Sequence, residues 1–286
     1  MRIDLHAHST ASDGTTSPAD LVREAGAAGL DVLALTDHDT TAGWAEAVAA
    51  RPPGLALVRG AELSCAYRAA TGSPVGVHLL AYLFDPSEPD LAAARRRVRR
   101  GRLDRGRRIV ELLRAGRIAI DWDEVAAGAA GGTIGRPHIA RELVRLGCVP
   151  NLDAAFGPDW LGTHGRYWAA KEEIDVLEAV RLVHAAGGAA VLAHPGAGRR
   201  GPVVDRAAIT ALAAAGLDGL EVDHQDHPVA QRRQLARLAD ELNLFATGGS
   251  DYHGSNKAVR LGEQLCSPAA FDRLLAATRG CPVVTG

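Results

Sequence analysis

Two paired-ligand signatures sit toward opposite ends of the chain, the histidine pair of His6-Ala7-His8 and the aspartate and histidine of Ser250-Asp251-Tyr252-His253, each after a short apolar run. Side chains alternate along a strand, so two imidazoles one residue apart emerge on the same side. Neutral imidazole is the commonest metal ligand, and a neighbouring carboxylate adds the charge a divalent ion needs. A single histidine of this kind passes for a satisfied loop residue, whereas two pairs with carboxylates read as halves of one metal site. Further ligand types lie between them: Asp13 in Ala11-Ser12-Asp13-Gly14, Thr36-Asp37-His38-Asp39 after Val32–Leu35, and Glu62 after Leu55–Ala61. His78 lies inside Val75–Leu80, His194 follows Ala190–Ala193, and Glu221 with His224 closes Gly219–His224. Titratable residues thus mark a succession of strand candidates, and in barrels of parallel strands the chemistry gathers at the carboxyl-terminal strand ends. Mixed imidazole and carboxylate donors suit manganese, iron or zinc, whereas calcium and magnesium prefer oxygen.

Helix candidates separate these strands. Ser17-Pro18 is a cap followed by proline at the first helical position, and Gly29 closes the segment Ala19 to Ala28. Thr41 to Ala50 carries Trp44, Ala47 and Val48 at helical spacing and ends at Pro52-Pro53. Ile174 to Ala186 ends at Gly187-Gly188, Asp205 to Ala215 ends at Gly216, Val229 to Leu242 links two strands, and Ser267-Pro268 opens a last helix. The alternation predicts an α/β barrel of parallel strands joined by crossover helices. It breaks between about residues 86 and 170, where helix candidates follow one another without a strand. That stretch is expected to be a helical insertion over the barrel mouth, with 1–85 and 171–286 forming the barrel.

The first helix of the insertion carries nine of the arginines between Arg95 and Arg108, although the formal net charge of the chain is -2. Most of these arginines read as a solvated face, but one or two turned to the site would match phosphate oxygens with a guanidinium fork. Gly135-Arg136-Pro137-His138 precedes the helix Ile139 to Leu146, where free backbone donors and the helix dipole favour an anion. The 286 residues are 47% hydrophobic and 4% aromatic, enough for one barrel with an insertion. No apolar stretch approaches the roughly 20 residues of a membrane helix. The chain opens directly on a strand candidate, Met1-Arg2-Ile3-Asp4, without a signal peptide, and Cys65, Cys148, Cys266 and Cys281 show no paired spacing. Reduced cysteines and a cytoplasmic location are therefore expected.

His6-Ala7-His8-Ser9, Thr36-Asp37-His38-Asp39, Glu62, His78, Ala193-His194-Pro195 and Ser250-Asp251-Tyr252-His253, in this order, resemble the motifs of the PHP (polymerase and histidinol phosphatase) family of metal-dependent phosphoesterases. The likeness covers nearly the whole chain. Within that family, Gly135-Arg136-Pro137-His138 and the segment Glu221–His227 are similar to the branch acting on nucleoside 3',5'-bisphosphates and short RNA 5' ends. The resemblance implies a distorted (β/α)7 barrel and a centre of two or three divalent ions, usually manganese, with iron or zinc also accepted. It implies that His6, His8, Glu62 and Asp251 hold a first ion, that Glu62 bridges to a second held by His78 and His194, and that Asp13, His38 and His253 hold a third. Ions roughly 3.5 to 4 Å apart share a hydroxide that attacks phosphorus and steady the charge of in-line displacement.

Besides Glu62 and His194, the expected catalytic residues are Asp37, which orients a ligand, and His224, which protonates the leaving oxygen or binds phosphate. Arg136 and His138 are the expected anchors for a second phosphate, with Arg102, Lys171 and Arg199 as further candidates. His164 and His184 are assigned no role, and His227 reads as an exposed loop residue. The expected reaction removes the 3'-phosphate of nucleoside 3',5'-bisphosphates and extends to trimming short RNA from the 5' end. The substrate is then a small nucleotide or short oligonucleotide, with no membrane and no obligate protein partner. The alternatives are histidinol-phosphate hydrolysis, opening of a cyclic sugar phosphate, and a non-catalytic metal-binding accessory domain.

Overall fold

The computed structural model describes residues 1–69, 73–129, 134–163, 165–198 and 202–286. The first half of the barrel is β1 (Ile3–Asp4), α1 (Pro18–Ala27), β2 (Val32–Leu35), α2 (Trp44–Ala50), β3 (Ala56–Tyr67) and β4 (Val75–Tyr82). Helices α3 (Pro89–Ala115), α4 (Trp122–Ala127), α5 (Arg136–Arg145) and α6 (Leu152–Ala155) follow. The second half is β5 (Ile174–Asp175), α7 (Val176–Ala185), β6 (Ala189–Leu192), α8 (Arg206–Ala214), β7 (Gly219–Asp223), α9 (Val229–Glu241), β8 (Phe245–Gly248) and α10 (Pro268–Ala277). The strands run in the order β1-β2-β3-β4-β6-β7-β8, with β5 pairing on β3. The ring closes where Leu5 N donates to Gly248 O at 3.2 Å, Asp251 N to His6 O at 2.8 Å and His8 N to Tyr252 O at 2.9 Å. This is the distorted barrel expected from the sequence.

One expectation is corrected. The strands are not all parallel: β4 runs antiparallel to both β3 and β6. The link between β3 and β4, residues 68–74, is too short for a crossover, which needs about a dozen residues, so the chain turns straight back. Reversal of β4 brings its amino-terminal half to the barrel mouth, where Ser64 pairs with His78. His78 therefore reaches the site from near the start of a strand. Glu62 likewise lies mid-strand, where pairing with β2 ends and only the His38 to Glu62 bridge continues.

Alternation sorts the core into two shells. Val32 and Ala34, Val58, Leu80 and Tyr82, Val191 and Phe245 fill the barrel, and Phe271 and Leu274 of α10 pack against them. Leu33, Leu35, Leu57, Leu63 and Leu79 face outward into the layer built by α1, α7, α8 and α9. Helix α3 spans two cores, because Leu91, Ala94 and Val98 join the outer barrel layer while Ile109, Val110 and Leu113 join a separate cluster with Ile139, Leu143, Leu161 and Tyr167. A 27-residue helix is about 40 Å long, so α3 reaches from one of these cores to the other. Among the described residues no helix is long and apolar enough to cross a membrane, and all the cysteines are free.

Candidate metal centre

The inner shell also supplies the site. Ala34 and His38, Val58 and Glu62, and Leu80 and His78 are even-numbered steps apart, so side chains that are apolar deep in the barrel are replaced by ligand types at its mouth. Three groups result, in each of which one ligand atom per residue lies within 4.8 Å of the others: His6, His8, Glu62 and Asp251; His8, Asp13, His38 and His253; and His38, Glu62 and His78. Glu62 is the hub. Its Oε2 lies 3.3 Å from His6 Nε2, 3.1 Å from His8 Nε2 and 3.2 Å from His38 Nδ1, and its Oε1 lies 2.7 Å from His78 Nδ1 and 3.0 Å from His194 Nε2. Asp251 Oδ1 lies 3.4 Å from Nε2 of both His6 and His8, and Asp13 Oδ1 lies 3.3 Å from His253 Nε2. The division into groups differs from the expected one in that His8 serves two of them and His38 faces Asp13 with one ring nitrogen and Glu62 with the other.

Surrounding acceptors decide which nitrogens face inward. His6 Nδ1 donates to Glu221 Oε1 at 2.9 Å and His253 Nδ1 donates to the Asp251 carbonyl at 2.8 Å, leaving their Nε2 lone pairs for the centre. His6 Nε2 and His8 Nε2 then stand 3.1 Å apart. Burial opposes charge on His6, yet Glu221, Asp251 and Glu62 outweigh it and hold its pKa well above the usual 6.5. Against the same burial penalty, Asp251 and Glu62 raise His8 to about 9. Burial would lift Glu62 and Asp13, but the imidazoles around them hold both carboxyls well below their usual range. Converging lone pairs and buried carboxylates repel one another unless positive charge lies between them. The donor set therefore fits more than one divalent metal ion.

Much of the support lies behind these groups. Asp37, expected among the catalytic residues, does not face the centre: it accepts from Ser9 N at 2.8 Å, Ser9 Oγ at 2.7 Å and Ser12 Oγ at 2.5 Å, and so fixes the loop that carries Asp13. His224 is also walled in, with no exposed surface. Its Nδ1 accepts from Asp226 N at 3.0 Å, so Nε2 carries the hydrogen and points to Asp251 Oδ2 at 3.2 Å, where it orients a carboxylate of the centre. His227, expected in a solvent-exposed loop, is buried, with Nδ1 donating to Val222 O and Nε2 accepting from Gly196 N. Asp39, His194 and Asp251 have φ of 55°, 27° and 54°, and such strain is tolerated where the surroundings over-determine the backbone. Gly249 is required, because a Cβ there would lie 2.4 Å from His6 Cβ.

Comparison with known proteins places this geometry. The chain is 37% identical over 265 residues to a 5'-3' exoribonuclease of Haemophilus influenzae, covering 92% of this chain and 94% of the relative. Residues 4–126 match the model of the PHP domain. The chain belongs to the PHP domain family. A second PHP relative, the 3',5'-nucleoside bisphosphate phosphatase of Chromobacterium violaceum, is 36% identical over 264 residues, covering 90% of this chain and 89% of its own. The crystal structure of a candidate metal-dependent phosphoesterase of Bifidobacterium adolescentis superposes with a TM-score of 0.86 at 36% identity, over 97% of this chain and 96% of that one. The protein is thus a metal-dependent PHP phosphoesterase, related to bisphosphate phosphatases and 5'-3' exoribonucleases.

The cations of this region come from α3, from α5 and from the segment leading into β5. Arg102 donates through Nε to Asp39 Oδ2 at 2.8 Å and through Nη2 to Ser64 Oγ, next to His38. Arg136 donates to the Leu161 carbonyl at 3.0 Å and lies over the Phe156 ring, Arg105 donates to the Ala169 carbonyl at 2.8 Å, and Lys171 pairs with Glu173 at 2.7 Å. Burial lowers the pKa of Arg136 and of Lys171, and brings Arg105 to about 9; in each case Arg102 adds like-charge repulsion. His138 is buried, caps α5 by accepting from Gly135 N at 3.1 Å, and is lowered to about 4 by burial and by Arg141. It is therefore neutral, not the cationic anchor expected. Arg199 and His164 lie outside the described residues.

Arg105, Arg141 and Lys257 were not among the site residues read from the sequence, and Glu221 was read as a strand-end carboxylate without a role. Lys257 Nζ reaches Asp251 Oδ2 at 2.5 Å. A compositional signal was available for it: in a chain that uses arginine for nearly all positive charge, the lysines are Lys171 and Lys257 alone, and both stand in or beside the site.

Proposed function

We propose that the protein removes the 3'-phosphate of nucleoside 3',5'-bisphosphates such as adenosine 3',5'-bisphosphate. The observation that carries this reading is the surplus of positive charge beside the metal groups. Arg102, Arg105, Arg136 and Lys171 bear on one another with the Glu173 carboxylate among them, and Arg102 is itself fastened to Asp39 next to His38. Like charges held together and partly desolvated are costly unless an anion joins them. A substrate with phosphates at two positions of a ribose supplies that anion while its other phosphate lies over the metal groups.

In this reading His6, His8, Glu62 and Asp251 hold one ion, His8, Asp13, His38 and His253 a second, and Glu62 with His78 and His194 a third, manganese suiting the mixed donors. When bound, the ions supply a hydroxide nucleophile at neutral pH and neutralise charge on the phosphoryl oxygens. The chain positions the rest. Glu221 fixes His6 through Nδ1 and the His194 backbone through its N–H at 2.7 Å, and Asp37 holds the Asp13 loop. Arg136 and Lys171 grip the remaining phosphate and set its distance from the centre. A second activity, trimming short RNA from the 5' end, is favoured by α3, whose exposed Arg96 and Arg100 lie one helical turn apart and have no carboxylate partner among the described residues.

Kinetics on paired substrates test the anchor. Losing a charge-assisted contact to phosphate costs about 1.5–3 kcal/mol, or roughly ten- to a hundredfold in rate. Arg136→Ala should therefore lower kcat/KM for adenosine 3',5'-bisphosphate by that factor and leave a generic aryl phosphate nearly unchanged. Equal losses on both substrates would refute it.

A further inference from the structure

Arg141 stands apart from the other cations near the site. Arg102, Arg105, Arg136 and Lys171 each have a protein acceptor, as above, and Arg145 is bound twice by Glu142, at 2.7 and 2.6 Å. Arg141 makes no hydrogen bond or ion pair with any described residue, and its Nη2 has no solvent-exposed surface. It projects from α5 one turn beyond His138, and residues three apart share a helix face. Both bear electrostatically on one carboxylate, Asp13, which lies in the group with His8, His38 and His253. A guanidinium close enough to feel the charge of Asp13 thus forms no ion pair with it. Buried donors almost always have an acceptor, so one lacking it in the free protein is suited to an acceptor that arrives with the substrate.

We infer that Arg141 is a catalytic residue that donates to the non-bridging oxygens of the phosphoryl group being hydrolysed, at the Asp13, His38 and His253 side of the centre. Its chemistry fits this role. The guanidinium is permanently charged, its planar fork matches two oxygens of one phosphoryl group, and negative charge is spread over those oxygens as the phosphoryl group is transferred. Aimed donors in a water-poor site act without reorganising when that charge develops. Arg136 and Arg141 thereby divide the labour: Arg136 recognises the phosphate that is kept, and Arg141 the one that is lost. The inference rests on phosphoester hydrolysis by the family, and not on the bisphosphate as substrate.

The test uses metal-loaded Arg141→Met and Arg141→Lys proteins with an aryl phosphate and adenosine 3',5'-bisphosphate as substrates and inorganic phosphate as an inhibitor. Removing a donor of this kind costs roughly a hundred- to a thousandfold in turnover. Arg141→Met should lose about that factor on both substrates, bind inorganic phosphate at least about tenfold more weakly, and keep its metal content and melting temperature. Arg141→Lys, which keeps the charge and loses the fork, should fall between it and the unaltered protein. Should Arg141→Met fail to fold, Arg141→Lys carries the test through its phosphate affinity. Should the bisphosphate not be a substrate at all, the aryl phosphate and inorganic phosphate measurements still report on Arg141. Aryl phosphate turnover and phosphate affinity within about twofold of the unaltered protein would overturn the inference, as would a loss fully accounted for by missing metal.

Discussion

Replacing Asp37 separates positioning from direct chemistry. Its carboxylate touches no ligand atom of the centre and accepts three hydrogen bonds from the loop that presents Asp13: Ser9 N at 2.8 Å, Ser9 Oγ at 2.7 Å and Ser12 Oγ at 2.5 Å. Hydrogen bonds to a charged acceptor contribute about 1.5–3 kcal/mol each, and bonds sharing one acceptor group sum to less than their separate values. Asp37→Ala should therefore cost about 3–5 kcal/mol, because it also leaves the buried Ser9 N–H without a partner. For a chain of this size that is a drop of about 6–15 °C in melting temperature. Asp37→Asn should lose far less, since an amide oxygen can keep the Ser9 N and Ser12 Oγ bonds while Ser9 Oγ turns to accept from the amide. The assay is a pair of melting curves on chelated protein, which isolates the loop from metal binding, followed by metal titration of each variant. Affinity should fall for the ion beside Asp13 and be preserved for the one beside His6 and Asp251. An Asp37→Ala protein that melts within about 1 °C of the unaltered one would refute the loop-anchoring role.

Glu62→Ala should be the most damaging single substitution to activity, because Glu62 contacts imidazoles of every group and stands in two of the groups; normal metal content and turnover in that variant would show that it bridges nothing. His184, far from the site, pairs with Asp218 at 2.8 Å, and that contact raises its pKa above 6.5 against a smaller burial penalty. A histidine with a raised folded pKa contributes stability that is fully present below its unfolded pKa and is lost as pH rises through the folded value. His184→Ala should thus lower the melting temperature most near pH 5.5 and progressively less toward about pH 8.5, and a gap that widens with pH would reverse the assignment.

The sequence showed the ligand types plainly because they carry two signals at once, a rare residue class and a fixed place relative to an apolar run. His6, His8, Asp13, His38, Glu62, His78, His194, Asp251 and His253 do converge. The helix starts were equally readable where a side chain caps them, as Ser17 does for α1 and Ser267 for α10. The reversal of β4 was obscured because an apolar run reads the same in either direction, although the short link of residues 68–74 carried the clue. Asp37 supports the centre as an orienting carboxylate would, but what it holds is the backbone and hydroxyls of the loop carrying Asp13, a partner that residue type does not reveal, and the depth of His224 was equally hidden. Arg141 was invisible for the opposite reason. In a chain rich in arginine, only the absence of a partner sets one apart, and a sequence does not show partners.

Metal content measured together with turnover tests the central claim most directly. Protein stripped with a chelator, reloaded with manganese, freed of excess ion and analysed by mass spectrometry should hold at least two ions per chain. Its hydrolysis of an aryl phosphate should vanish on stripping and return in step with reloading. A stripped protein that retains full turnover, or a reloaded one that is active with no bound ion, would contradict the account.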